Sequence, residues 1–126
     1  MLVMTTQSLN VDDWFKYVPK ENCLPYLLDE LGFDVWLGNN RGVYDYSANE
    51  FYRANQLDVY WNFDYTEMAE YDLPALTQYI LDTTHQERLS YIGYGRGNTQ
   101  MFYAMAKAPD YYEERVDKFI ALAPAF

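Results

Sequence analysis

Cysteine, histidine and basic residues are all scarce in this 126-residue chain, and each shortage removes a class of function. The single cysteine, Cys23, has no partner for an internal disulfide. The single histidine, His85, and Cys23 have no companions at metal-ligand spacing, so no metal and no cofactor is expected. Nine lysines and arginines stand against nineteen aspartates and glutamates, a net charge of −10. Nucleic acid and anionic membrane surfaces are recognised by a basic patch, and the absence of any basic run excludes both as partners. No apolar segment nears the roughly 20 residues that span a bilayer. Met1-Leu2-Val3-Met4-Thr5-Thr6 lacks the basic start and apolar run of a secretory signal, so a soluble, cytoplasmic product is expected from the sequence as written. No N-x-S/T acceptor for glycosylation occurs.

Apolar and aromatic residues are plentiful. Half the chain is apolar and 19% is aromatic, with 14 tyrosines, which is the composition of a globular domain and not of a disordered one. The length allows one domain with a modest core. Residues 2–5 read as a short buried strand, and the polar residues 7–13 as a loop. Trp14, Phe15 and Tyr17 are expected to cover the core edge. Leu24, Leu27, Leu28 and Leu31 recur at helical spacing, and Gly32 stands where a C-cap glycine belongs. Residues 33–37 then read as a strand that ends in the turn formers Gly38-Asn39-Asn40-Arg41-Gly42.

Residues 43–60 show no clean period and read as a long surface loop containing Tyr44, Tyr46, Tyr52 and Tyr60. Asp64 followed three residues later by Glu67 is a capping-box pattern that opens a helix. Pro74 lies inside that helix, and Asp72, two residues ahead of it, is placed to cap a second segment over 73–81; a kinked or two-part helix is predicted. Residues 83–88 are a polar connection. After the next strand and helix, 111–115 reads as a turn or short helix and 118–123 as a last strand. Strand and helix alternate, and the strands are nearly continuous apolar runs. That pattern predicts a parallel sheet with helices on both faces and right-handed crossovers.

The stretch with the most chemical meaning is Gly93-Tyr94-Gly95-Arg96-Gly97. It joins the apolar run Leu89-Ser90-Tyr91-Ile92 to a helix that begins near Asn98 and Thr99. Strand, tight glycine turn and helix make the geometry of a nucleophile elbow, G-x-S-x-G, with a glycine where the serine would stand. A phosphate loop of the form G-x-G-x-x-G needs a third glycine where this chain has Asn98, and no acidic residue ends the following strand to hold a ribose. A plain turn remains as the third alternative, in which Gly95 relieves the backbone strain that an elbow residue carries. Asn39-Asn40-Arg41-Gly42 allows anion binding, or a turn in which a carboxylate holds Arg41. The adjacent acids Asp12, Asp13, Glu113 and Glu114 read as solvated charge, and Asp64 and Glu67 as caps.

Three longer segments resemble the acid lipase family of α/β-hydrolases, the gastric, lysosomal and steryl-ester lipases. Residues 32–42, Gly-Phe-Asp-Val-Trp-Leu-Gly-Asn-Asn-Arg-Gly, resemble that family's G-[FY]-D-V-W-L-G-N-x-R-G signature. Tyr60-Trp61-Asn62-Phe63 followed by Glu67-Met68-Ala69-Glu70-Tyr71-Asp72-Leu73-Pro74-Ala75 resembles F-W-x-F…E-M-A-x-Y-D-L-P-A, and Ala121-Leu122-Ala123-Pro124 resembles A-L-A-P. The resemblance implies a three-layer α/β sandwich, a partial α/β-hydrolase domain over residues 1–126 with about four parallel strands flanked by helices. These correspond to the third through sixth strands of the family sheet, in spatial order fourth, third, fifth, sixth. The C-terminal part and the lid of the family's domain are expected to be lacking.

The departures from the family fall where its chemistry is done. The G-H-S-x-G elbow is matched by Gly93, Tyr94, Gly95, Arg96 and Gly97, without the serine. The family's H-G-L segment falls on Thr5-Thr6-Gln7. Ser90 lies up the strand, Thr99 lies in the helix, and His85 precedes the elbow strand, so none replaces a triad member. Two backbone amides, of Gln7 and Arg96, are left as an oxyanion-like pair. The resemblance implies hydrolysis of lipid esters as the ancestral activity and predicts a lipase-like chain that is catalytically inactive, with a lipid or protein partner at its apolar sheet edges. An accessory subunit in a larger assembly and a truncated part of an active lipid ester hydrolase are the alternatives.

Overall fold

A computed structural model describes residues 2–4, 12–16, 18–43, 51 and 57–125. In chain order the elements are β1 (Leu2–Met4), α1 (Asp13–Lys16), a 3-10 turn (Lys20–Asn22), α2 (Leu24–Glu30) and β2 (Trp36–Gly38). They continue with α3 (Leu57–Tyr60), α4 (Tyr65–Glu67), a π-turn (Met68–Asp72), α5 (Leu73–Thr84), β3 (Leu89–Tyr94), α6 (Arg96–Lys107), α7 (Pro109–Arg115) and β4 (Val116–Leu122). The strands pair in parallel in the order β2-β1-β3-β4, the order that the resemblance implies.

Consecutive strand residues point to opposite faces of a sheet. On one face Leu89, Tyr91, Trp36 and Phe119 pack with Leu73, Ile80, Leu81, Met101, Ala104 and Tyr112 from α5, α6 and α7. On the other, Ile92, Leu37 and Leu122 meet Trp14, Leu24 and Leu28 from α1 and α2. Helices therefore lie against both faces. Leu73, Tyr91 and Met101 are fully buried and centre the larger cluster; a buried side chain of this size contributes about 1.5–3 kcal/mol of hydrophobic stabilisation.

Helix α2 ends as its glycine predicts. Gly32 has φ +87, its N–H donates to Asp29 O (2.9 Å), and Phe33 N–H donates to Leu28 O (3.1 Å), the paired bonds of a Schellman cap. That cap corrects the strand expected over 33–37. Phe33 is still bonded back to the helix, and Asp34 accepts from Trp36 Nε1 (2.8 Å), so ladder pairing with β1 begins at Trp36. The last strand also differs from expectation, running over Val116–Leu122 because α7 passes into it without a loop, and Ala123 leaves extended geometry at φ 42. Helix α5 continues to Thr84, further than expected, since Thr83 and Thr84 turn their hydroxyls back onto Tyr79 O and Ile80 O (both 2.7 Å). Tyr44, Tyr46 and Tyr52 of the tyrosine-rich loop lie outside the described residues, as does Tyr17. Within that span residues 57–60 form one helical turn, and Tyr60 is buried with its ring edge-on to Trp61. Trp14 covers the smaller cluster as expected, whereas Phe15 stays on the surface against Tyr26 (5.1 Å between ring centres).

The capping box forms as the sequence predicts. Thr66 N–H donates to Asp64 Oδ1 (2.6 Å), and Glu67 Oε2 accepts from Asp64 N–H (2.8 Å). These bonds favour the ionised acids and hold both carboxyls below their ordinary values of 3.8 and 4.5, the bonds to Thr66 acting most on Asp64 and the Asp64 amide most on Glu67. A carboxyl lowered in the folded state adds stability above its unfolded value and loses it as pH falls through the folded one. Asp64→Ala is therefore expected to lower Tm by roughly 2–5 °C at pH 7, with the gap to wild type closing as pH drops below 3.8. Thermal melts at pH 7 and pH 3 check both the size and the sign.

Pro74 is accommodated without the expected Asp72 cap. The chain instead takes a π-turn, in which Leu73 N–H reaches Met68 O, five residues back, and helix resumes with Pro74 in its first turn. Asp72 keeps helical dihedrals and caps nothing. Its carboxylate is engaged elsewhere.

Candidate functional site

The glycine elbow stands at the carboxyl end of β3, where parallel α/β sheets place their ligand crevices. Gly95 has φ 55 and ψ −118, a conformation that side chains strain to adopt, and Arg96 starts α6 directly after it. Backbone bonds fix the apex. Gly95 N–H donates to Leu122 O (3.1 Å) at the end of β4, and Gly95 O accepts from Asn98 N–H (3.1 Å). Asn98, completely buried, adds its Nδ2 to Gly95 O (3.1 Å) and to Leu122 O (2.8 Å). A side chain at position 93 would occupy the space of the Asn98 side-chain oxygen, so Gly93 is required for that contact. The Gly97 carbonyl accepts from the buried Tyr91 hydroxyl (2.7 Å); burial there raises the phenol's pKa far above its ordinary value. Tyr94 is half-exposed and meets Trp14 edge-on at 5.7 Å.

The serine and threonine hydroxyls nearest the elbow in sequence are already engaged. Ser90 Oγ donates to Asp117 Oδ1 (2.7 Å), and Thr99 Oγ1 donates to Ala125 O. His85 is the left-handed C-cap of α5 and precedes the amino end of β3, at the opposite end of that strand from Gly95. Cys23 is buried and points its Sγ at Trp14 O (3.2 Å). Among the described residues no three His, Cys, Asp or Glu side chains group closely enough to hold a metal ion. Arg96 is exposed at the first position of α6, while Gln7, the other half of the oxyanion-like pair, lies outside the described residues.

The turn after β2 is a second organised cluster, and it meets the elbow helix. Asp72 grips Arg41 three times. Oδ2 accepts from the Arg41 N–H (2.9 Å), and Oδ1 accepts from Nε (2.8 Å) and Nη2 (2.7 Å). The guanidinium lies 5.8 Å from the Phe63 ring centre and 5.5 Å from that of Tyr71. A carboxylate holding Arg41 was one of the two expectations for this turn. The helix cap that the sequence predicts at Asp72 is this ion pair instead, since a capping position and an ion-pair position look alike in sequence. Gln100 has no counterpart among the expected site residues. Completely interior on α6, it donates from Nε2 to Asn40 Oδ1 and to Met68 O, both at 3.0 Å. Its signal in the sequence is a polar side chain on the stripe that also carries Gly97, Met101 and Ala104, the buried face of a helix. The paired surface acids are salt-bridged or solvent-facing, as with Asp13–Lys16 (3.2 Å) and Glu114–Arg115 (3.0 Å).

Residues 8–126 match the alpha/beta hydrolase fold family. A probable lipase of Schizosaccharomyces pombe is 40% identical over 93% of this chain and 26% of its own length. Gastric triacylglycerol lipase of Bos taurus is 40% identical over 89% of the chain and 28% of the lipase. Human lipase member M is 38% identical over 89% of the chain and 26% of its own length. The chain thus spans about a quarter of the length of these relatives.

Proposed function

The chain belongs to the α/β-hydrolase fold family, its similarity within that family is to acid lipases, and on that premise we propose that it is a lipase-like scaffold that does not hydrolyse esters. The observation that carries this is Gly95. The apex of the elbow holds φ 55 and ψ −118 between β3 and α6, and its residue has no side-chain oxygen with which to attack a carbonyl. Ser90 and Thr99, the neighbouring hydroxyls, are held by Asp117 and Ala125. A serine hydrolase works through nucleophile, base and orienter together, and removing one member costs nearly as much as removing all. An oxyanion site acting alone gives about 10³–10⁴-fold over water, too little for metabolism of triacylglycerols or steryl esters, the substrates of the ancestral activity. The purified chain is expected to release p-nitrophenol from a short-chain ester no faster than a buffer blank and a heat-denatured control. A rate well above both would sink the proposal.

A second reading, an accessory chain that binds a protein partner along β4, is favoured by one observation. β4 is one of the two edge strands, and Ile120 on it and Phe102 and Met105 of α6 are each about two-fifths exposed. Unpaired edges with apolar neighbours are templates for strand addition. Sedimentation of the chain alone should show self-association or aggregation that rises with concentration. A monodisperse monomer throughout would count against it.

A further inference from the structure

Gln100 touches both clusters, and we infer that it locks the elbow helix to the Arg41–Asp72 ion pair. Three segments far apart in sequence converge on it. Asn40 precedes Arg41 in the turn after β2. Met68 opens the π-turn that ends at Asp72, and Gln100 lies five residues past the elbow apex on α6. A carbonyl has two lone pairs. Met68 O gives one to Leu73 N–H, the bond that defines the π-turn, and accepts Gln100 Nε2 with the other. The second Nε2 hydrogen goes to Asn40 Oδ1, and Arg41, next in the chain, is fastened to Asp72 by its backbone amide and its guanidinium. The loop of contacts closes: turn to Gln100, Gln100 to π-turn, π-turn to Asp72, Asp72 back to the turn.

Buried polar groups make such a loop close to all-or-none. Gln100 is 1% exposed and Asn40 is 7% exposed, so neither can turn to water if the other moves. A buried acceptor stripped of its donor costs more than the bond contributed. Loosening Arg41 from Asp72 therefore loosens Met68 and Asn40, and with them the first turns of α6, on which Asn98 holds Gly95 O and Leu122 O. The family signatures around Arg41 and Asp72 are by this account a lock on elbow geometry, and they serve it whether or not the apex carries a nucleophile. Gln100, Asn40 and Asp72 are positioning residues.

Hydrogen exchange on the chain tests this separately from activity. The reporters are the Gly95 and Asn98 amides, bonded to Leu122 O and Gly95 O. Arg41→Lys keeps the charge and loses the fork, and Gln100→Leu keeps the volume and loses both bonds. Each is expected to speed exchange at the two reporters by about tenfold or more, while amides in the middle of α5 keep their rates, as for a local opening. The double variant should exchange no faster than the quicker single variant, because either change opens the same lock. Unchanged reporters, reporters that accelerate only in step with α5, or effects that multiply in the double variant would each overturn the inference. Asn40→Ala removes only one of the Gln100 bonds and serves the same test if Gln100→Leu fails to fold.

Discussion

Gly42→Ala is expected to destabilise the fold by about 2–5 kcal/mol, from two costs that act together. Gly42 sits at φ +75, where an L side chain crowds its own carbonyl, a penalty of about 1–2 kcal/mol. A methyl group there would also stand 2.5 Å from Phe63 Cζ and 2.8 Å from Trp61 Cζ3. Both rings would have to shift. Phe63 lies against the Arg41 guanidinium, and Trp61 meets Tyr60 edge-on (4.7 Å) and Phe63 at a tilt (5.9 Å). Forced repacking of this kind adds about 1–3 kcal/mol. The upper half of the range is a large fraction of the stability of an ordinary domain. Urea titration should show a lower midpoint at an unchanged slope. A loss below about 1 kcal/mol would mean the rings yield and Gly42 is only a convenient turn residue.

Gly95→Ser is expected to gain no ester turnover and to lose stability by about 1–3 kcal/mol. The side chain would enter at φ 55 and ψ −118, a conformation that enzymes tolerate at a nucleophile because the surrounding structure over-determines it. Here the reward is missing. A serine hydroxyl needs a base to take its proton. The one histidine of the chain, His85, caps α5 beyond the far end of β3. The same pair of measurements separates the outcomes. Turnover in the variant above the denatured control would refute the non-hydrolysing proposal, and full stability would show that the apex no longer strains its occupant.

The elements that the sequence made legible were those with local punctuation. Gly32 announced the end of α2, Asp64 and Glu67 announced α4, and the apolar run with alternating glycines announced β3 and the elbow. Each is written within a few residues by a cap or a dihedral that few side chains satisfy. Tertiary partners were not written that way. Asp72 looked like a cap and became the counter-ion of Arg41, 31 residues away. Gln100 looked like one polar residue in a helix and proved to bridge a span of 60 residues to Asn40. The strand over 33–37 failed for a mixed reason. Its residues have β character, but the Schellman bonds hold Phe33 to α2, and ladder pairing starts only where β1 lies alongside. Resemblance located the signature segments around Arg41 and Asp72, whose contacts with α6 are set by the packed fold and by no local pattern.

The π-turn has a consequence for how this helix tolerates change. Each α-helical residue advances by about 100° around the axis. In a regular α-helix one surplus residue would offset the angular phase of everything after it; the π-turn absorbs that residue in one widened turn, so α4 and α5 stay in phase. Met68 and Ala69 on one side and Leu73, Thr77, Ile80 and Leu81 on the other therefore all face inward. Trimming one residue from the π-turn would leave both rows inward, at the cost of setting Pro74 inside a continuous α-helix. A one-residue deletion in the middle of α5 has no such slack and would swing every later inward residue by about 100°. Deletions should accordingly be tolerated better in the π-turn than in α5.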